Sequence, residues 1–185
     1  SKLKPKYLEV YFGGRRFPAI TVNTKKGEMK VVGKIDRIDS DGENMTVIDY
    51  KTGKVEGSKA DLNLYIGKKL QLFLYAKAFS DKFKAIGAYY FPISDKFKGD
   101  EDEAEGTYVG KTIADEEKAL LIDDTLDESG KSNHLNANFT RKKDGGYRYP
   151  GALLSSEEFE GYMEYSQQIA GAGLNEITEG VIVPS

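Results

Sequence analysis

Asp36, Asp49 and Lys51 are the side chains of this 185-residue chain whose types and spacing could do chemistry together. Two acids and an ammonium group on neighbouring extended segments could hold a hard divalent cation beside a fixed positive charge. The acids fall in Gly33-Lys34-Ile35-Asp36-Arg37-Ile38-Asp39 and in Met45-Thr46-Val47-Ile48-Asp49-Tyr50-Lys51-Thr52-Gly53, separated by Ser-Asp-Gly-Glu-Asn. Both flanks are rich in β-branched residues and the break contains Asp41-Gly42, so the stretch predicts a β-hairpin. A turn at Gly42-Glu43 sets Asp36 opposite Asp49; a turn at Asp41-Gly42 sets Asp36 opposite Val47 and Asp49 opposite Lys34. Either two-residue loop leaves Asp36, Asp49 and Lys51 on one face, because side chains alternate with a period of two. An odd-length loop or a bulge would separate them.

Carboxylates roughly 4 Å apart repel by about 4 kcal/mol at an effective dielectric of about 20, a cost that a bound dication removes. Few ligands, all hard oxygens, suit magnesium or manganese, with water and substrate phosphate completing the shell. Lys51, two residues after Asp49, then stands where negative charge develops during attack on a phosphodiester. Acid-x-Lys in a strand is by itself a common chance pattern. Here, however, Ile35, Ile48 and Tyr50 occupy the face opposite the charges, while Ile38 and Val47 share the charged face further along. Apolar residues on both faces predict a strand buried on both sides, where charges rarely sit without a function.

The elements that must position this hairpin follow from periodicity. Residues 7–14 predict a strand ending at a glycine pair; Glu9 within it reads, on the residues alone, as a solvated strand position. Residues 18–24 and 29–39 alternate around Lys26-Gly27 and predict another hairpin leading into the central one, an antiparallel meander. Residues 54–61 are polar and predict a loop. From about Leu64 to Phe79 the apolar positions are dense enough for a helix with a broad buried face. Gln71 and Tyr75, four apart, share one face of it, either as a surface glutamine and a core tyrosine or as a polar pair. Residues 85–93 form a continuous apolar run expected of a strand buried on both faces. Strand, helix, strand implies a crossover and a mixed sheet carrying helices.

The acidic run Asp100-Glu101-Asp102-Glu103 reads as exposed loop. Residues 115–124 predict a short helix with acids in its first turn. Residues 127–150 are polar, with Arg141-Lys142-Lys143 and Gly145-Gly146, and predict a mobile excursion with a solvated basic tip; the whole polar stretch spans about 95–150. Ser155 and Glu158, at capping-box spacing, open a helix expected to run to about Ala172. The expected organisation is one domain over 1–185, without repeats or a second-domain boundary.

Composition narrows the function classes. Hydrophobic residues at 39% and charged residues at 31% are ordinary for a globular chain. No apolar run approaches a membrane span and the N-terminal Ser-Lys-Leu-Lys-Pro-Lys is not a signal region, so a cytoplasmic protein with no membrane role is expected. Zero cysteines and one histidine exclude disulfides and thiolate sites within this chain and disfavour zinc. A net charge of -3 argues against holding nucleic acid by bulk electrostatics and points to a local groove or a shared partner.

Taken together, Gly33-x-Ile35-Asp36-Arg37-Ile38-Asp39, Val47-Ile48-Asp49-Tyr50-Lys51-Thr52-Gly53 and Leu70-Gln71-Leu72-Phe73-Leu74-Tyr75 resemble the RecB-like branch of the PD-(D/E)XK nucleases. The resemblance is nearer still to the AddB-type nuclease domains of AddAB-type ATP-dependent helicase/deoxyribonucleases. Three motifs in this order are far more specific than any one, and they cover about the first half of the chain. The resemblance implies an α/β (mixed α+β) fold with a restriction-endonuclease-like core, a central mixed β-sheet flanked by helices. It implies that Asp36, Asp49 and the backbone carbonyl of Tyr50 bind magnesium or manganese, and that Lys51 orients the attacking water and stabilises the pentavalent transition state. Gln71 and Tyr75 match the family's Gln-x-x-x-Tyr element beside the site, and Glu9 matches an acid on the first core strand that could join the metal ligands.

The implied activity is a magnesium-dependent DNA exonuclease acting on a single strand delivered by a helicase, with an AddA-like helicase-nuclease subunit as partner, in double-strand-break processing for recombinational repair. The other reading is a non-catalytic nuclease-fold scaffold that guides DNA or holds a partner subunit. A degenerate domain is expected to have lost a carboxylate or the lysine, and all are retained. This branch usually carries a histidine on a helix before the first strand, and AddB-type domains hold an iron–sulfur cluster on four cysteines. Both are missing from this chain, so it is expected to be part of a longer subunit, with the cluster and full activity belonging to that protein.

Overall fold

The computed structural model describes residues 1–52, 70–93 and 107–179. The loop expected over 54–61, the first residues of the helix expected from Leu64, the acidic run and the last residues lie outside them. The central hairpin is formed by β4 (Gly33–Ser40) and β5 (Asn44–Thr52), antiparallel, with register pairs Ser40 to Met45, Asp39 to Thr46, Ile38 to Val47 and Arg37 to Ile48. This is the register of a turn centred on Gly42-Glu43. The connection is built by its own side chains: Asp41 Oδ1 accepts from the backbone N–H groups of Glu43 (2.9 Å) and Asn44 (2.7 Å). Gly42 takes φ +108°, a conformation that a side chain would strain.

Around this hairpin a six-stranded mixed sheet runs in the order β1-β4-β5-β6-β7-β10, where β1 is Lys4–Phe12, β6 Lys84–Ile93, β7 Val109–Ile113 and β10 Leu153–Leu154. β5 and β6 are parallel and enclose the crossover helix α1 (Gln71–Phe79). The apolar run of 85–93 is therefore the buried partner of β5. One face of the sheet is covered by α1 and α3 (Ser156–Glu179), packing Phe73, Ala76 and Phe159 over Ile38 and Val47. On the other face, Ile48, Ile86, Tyr89 and Ile113 are buried with Ala119 and Phe139. Burial on both faces explains why β5 and β6 lack a simple polar alternation.

Two parts differ from the expectation. The chain from 18 to 39 is not a meander continuing the sheet. β2 (Ile20–Thr24) and β3 (Gly27–Val31) form a separate ribbon, and β1 itself pairs with β4. Gly13, at φ +117°, and Gly14 both donate to the carbonyl of Phe17, a tight turn that leads the chain out of the sheet before the ribbon begins. The ribbon lies against α3, where Gln167 Nε2 donates to the Thr21 carbonyl and a Cβ on Gly171 would fall 2.6 Å from the Asn23 carbonyl oxygen.

The second difference is the polar stretch after 127, which is packed. β8 (Asn138–Arg141) pairs with β9 (Tyr147–Tyr149), and Leu135, Ala137 and Phe139 are buried at alternate positions. Three inward apolar side chains anchor a segment whose average composition is polar. α2 (Glu116–Ile122) is capped by Asp115, whose side chain accepts from Lys118 N–H, and α3 opens with the capping box: Ser155 N–H to Glu158 Oε2 (2.7 Å) and Glu158 N–H to Ser155 Oγ (3.1 Å). Among the described residues no helix is long and apolar enough to cross a membrane.

Candidate active site

The β4–β5 ladder stops at Arg37 and Ile48. One step further the same register sets Asp36 across from Asp49, and a side chain takes over from the backbone: the Tyr50 N–H donates to Asp36 Oδ2 at 2.9 Å. This bond holds the Asp36 carboxylate against the opening strands. Asp49, on β5, is only 6% exposed, and Lys51, two residues on and on the same face, sets its Nζ 2.6 Å from Asp49 Oδ2. That oxygen is enclosed and accepts no well-directed hydrogen bond, and the Lys51 ammonium stands against it as an ion pair. Burial pushes the Asp49 carboxyl above the ordinary carboxylate range; Lys51 opposes the rise and the Asp36 charge adds to it.

The crossover helix supplies the next layer. Gln71 opens α1 and its side-chain amide donates to the hydroxyl of Tyr75, one turn on. Tyr75 is held edge to face on Phe12, with ring centroids 5.9 Å apart. Gly33 makes room for this: a Cβ there would fall 2.7 Å from the Phe12 ring and 3.7 Å from Tyr75. Burial raises the Tyr75 phenol above its usual range, with Gln71 and Lys51 opposing the rise and the Asp49 and Asp36 charges adding to it. A cavity of about 530 Å³ opens beside these groups, lined by Lys51, Gln71 and Leu74 on one side and Ser166, Ile169 and Ala170 of α3 on the other.

The structure thus brings Asp36, Asp49, Lys51, Gln71 and Tyr75 to one face of the sheet. The Tyr50 peptide lies between them, its N–H taken by Asp36 and its carbonyl following Asp49 along the strand. Glu9 is not drawn in. The register of β1 on β4, Leu8 to Arg37 and Val10 to Ile35, brackets Glu9 against Asp36. Yet its backbone is in the left-handed region at φ +48°, and its exposed carboxylate meets Lys34 Nζ at 2.7 Å. Among the described residues no group of three or more His, Cys, Asp or Glu side chains could hold a metal. Two carboxylates and a carbonyl suit a hard dication that keeps much of its water. With no cysteine, nothing in the chain fits an iron–sulfur cluster held by thiolates.

Tyr90 is a neighbour of the site that the sequence does not single out. It is the β6 register partner of Asp49, it is buried, and the Lys51 ammonium lies 5.3 Å from its ring centroid. Its signal is hidden inside the apolar run of 85–93, since no rule of local sequence sets the register of two parallel strands across a crossover.

A family model for the PD-(D/E)XK nuclease superfamily matches residues 2–178. The ATP-dependent helicase/deoxyribonuclease B-subunit of Bacillus pumilus (strain SAFR-032) is 31% identical over 207 residues, covering 98% of this chain and 17% of that protein. The protein of the same description from Bacillus velezensis (strain DSM 23117 / BGSC 10A6 / LMG 26770 / FZB42) is 30% identical, covering 96% of this chain and 17% of that protein. That of Bacillus cereus (strain G9842) is 32% identical with the same coverage. This chain therefore spans 17% of the length of the relatives it matches. With a family match over nearly its whole length and a mixed sheet flanked by helices, the chain belongs to the PD-(D/E)XK nuclease superfamily.

Proposed function

We propose that this chain is a metal-dependent deoxyribonuclease domain that hydrolyses phosphodiester bonds as an exonuclease within a larger helicase–nuclease, acting on a single strand delivered by the motor. The observation that carries this reading is the Lys51 ammonium 2.6 Å from the enclosed Oδ2 of Asp49, with Asp36 fixed beside it by the Tyr50 N–H. In this reading Asp36, Asp49 and the Tyr50 carbonyl hold magnesium or manganese, which when bound supplies an activated water and neutralises charge on the phosphate. Lys51, tethered by Asp49, directs its positive charge at the non-bridging oxygens of the scissile phosphate as negative charge builds there. Gln71 holds the Tyr75 hydroxyl and, with Lys51, borders the cavity where the strand backbone would lie.

The names of the relatives support a setting in a multi-subunit helicase/deoxyribonuclease; our reading extends this to an AddA-like helicase–nuclease subunit as partner and a cytoplasmic role in double-strand-break processing for recombinational repair. The iron–sulfur cluster of that setting would be held by parts of the longer protein other than this chain. The test is cleavage of labelled single-stranded DNA by the full-length subunit pair with magnesium. Lys51→Ala should lower cleavage of one strand by about 10²–10³-fold, the scale of losing one preorganised stabilising group. Unchanged cleavage of both strands would contradict the proposal.

A further inference from the structure

On the same face of the sheet as the acids, three cations stand on a floor of aromatic rings. The Arg16 guanidinium lies 4.9 Å from the Tyr7 ring centroid and 5.5 Å from that of Phe17. Lys82 Nζ is 4.5 Å from the Phe17 centroid, and Lys6 Nζ is 5.3 Å from that of Phe83. The floor is one unit: Tyr7 stacks edge to face on Phe17 at 5.2 Å and meets Phe83 at 6.2 Å. Phe17 in turn sits 4.4 Å from Phe79 on α1. Lys82 also donates to the Arg16 carbonyl at 2.7 Å, tying the glycine turn of residues 13–17 to the end of the helix.

None of the three cations makes an ion pair with a described acid, whereas Lys34, Arg37, Lys51, Lys118 and Arg141 each do. In a chain of net charge -3, an exposed triad with no ion pair among the described residues is a local anion site. Covering apolar rings accounts for the stems of these side chains. It does not account for three charged heads over one aromatic floor without an acidic partner among the described residues.

We infer that Lys6, Arg16 and Lys82 form a phosphate-binding track that holds the backbone of the DNA strand leading to the site. The inference rests on the nuclease reading for its substrate. Geometry links the two places: Gln71, Tyr75 and Phe79 recur every four residues along α1, so the floor under Phe79 begins about 12 Å, two helical turns, from Gln71. A strand lying across Tyr75 reaches the triad without leaving this face. The rings are covered by the cations, so the track grips phosphates and not bases, and it should be indifferent to sequence.

The experiment is fluorescence anisotropy of a labelled oligothymidylate with the chain, in EDTA and at several salt concentrations, with folding checked by thermal melts. The triple variant Lys6→Gln, Arg16→Gln, Lys82→Gln should bind about tenfold to a hundredfold more weakly, and the slope of log K against log salt should fall by about 2. Lys142→Gln with Lys143→Gln, on the β8–β9 turn over the other face, should bind like the parent. The charge-conserving set Lys6→Arg, Arg16→Lys, Lys82→Arg should also bind like the parent, which separates lost charge from lost fold. Unchanged binding in the neutral triple variant, an equal loss in the Lys142 and Lys143 pair, a loss in the charge-conserving set or no binding by the parent would each overturn the track. Because no dication is present, a track that binds in this chain while the full-length subunit pair does not cut would reject only the nuclease reading. A full-length subunit pair that cuts while the triple variant of this chain binds like the parent would reject only the track.

Discussion

Asp49 carries the sharpest conflict in the molecule, a carboxylate enclosed between strands with another acid beside it and one ammonium to answer it. Its carboxyl is raised by burial first, with the Asp36 charge adding and Lys51 opposing. An acid raised in the fold favours the protonated form, so the metal-free chain loses stability as pH climbs from the ordinary carboxylate range through the raised value. Asp49→Asn removes that loss. Its metal-free thermal midpoint at neutral pH should equal or exceed the parent's and vary less with pH, while cleavage falls by about 10²-fold or more. A midpoint well below the parent's would mean that the Asp49–Lys51 pair is structural. Tyr90 gives a second expectation at this scale. Tyr90→Phe keeps the ring beneath Lys51 and should keep turnover, whereas Tyr90→Leu should lower it about 3- to 30-fold, the range of a cation–π contact. Equal losses in initial-rate assays would place the role in the hydroxyl instead.

At the scale of elements, the β4–β5 hairpin is fixed from both faces. On the face away from the acids of the site, Arg37 forks onto Asp39, Nε to Oδ1 at 2.6 Å and Nη2 to Oδ2 at 2.7 Å, and reaches the Tyr50 hydroxyl at 3.3 Å. Asp39 is nearly buried, so removing its carboxylate leaves a half-covered guanidinium unpaired. Asp39→Ala should cost on the order of 3 kcal/mol in urea unfolding, although Asp39 lies outside the proposed metal ligands. A cost under about 0.5 kcal/mol would show the pair to be an ordinary surface contact.

These elements also show what is legible in the residues. The hairpin, the strand at 85–93 and the capping box of α3 are local, written in alternation, turn residues and short-range spacing. The choice between two registers stays open in the sequence, because Asp41-Gly42 and Gly42-Glu43 are both acceptable turn centres. The ribbon of β2 and β3 reads as part of the sheet because alternation marks a strand without naming its partner. The packing of residues 135–141 is masked by polar neighbours, since three inward side chains, Leu135, Ala137 and Phe139, decide it and an average over the segment does not see them.

At the scale of the whole molecule, the sheet divides the labour between its faces. One face, under α1 and α3, gathers acids, lysine, glutamine and tyrosine from β4, β5 and α1, with Lys51 and Gln71 opening onto a cavity. The other, with α2 and the β8–β9 hairpin, buries a second apolar cluster that braces the central strands. A site assembled from three elements depends on that bracing, since a one-residue slip would turn Asp49 and Lys51 to the opposite face. The central claim is that Asp36 and Asp49 jointly hold one dication. Titration of manganese into the chain, followed by electron paramagnetic resonance, tests it most directly. Binding should be present in the parent, lost in Asp36→Asn and in Asp49→Asn separately, and kept in Glu9→Gln, whose carboxylate turns to Lys34. Manganese bound with undiminished affinity by both asparagine variants would contradict the account.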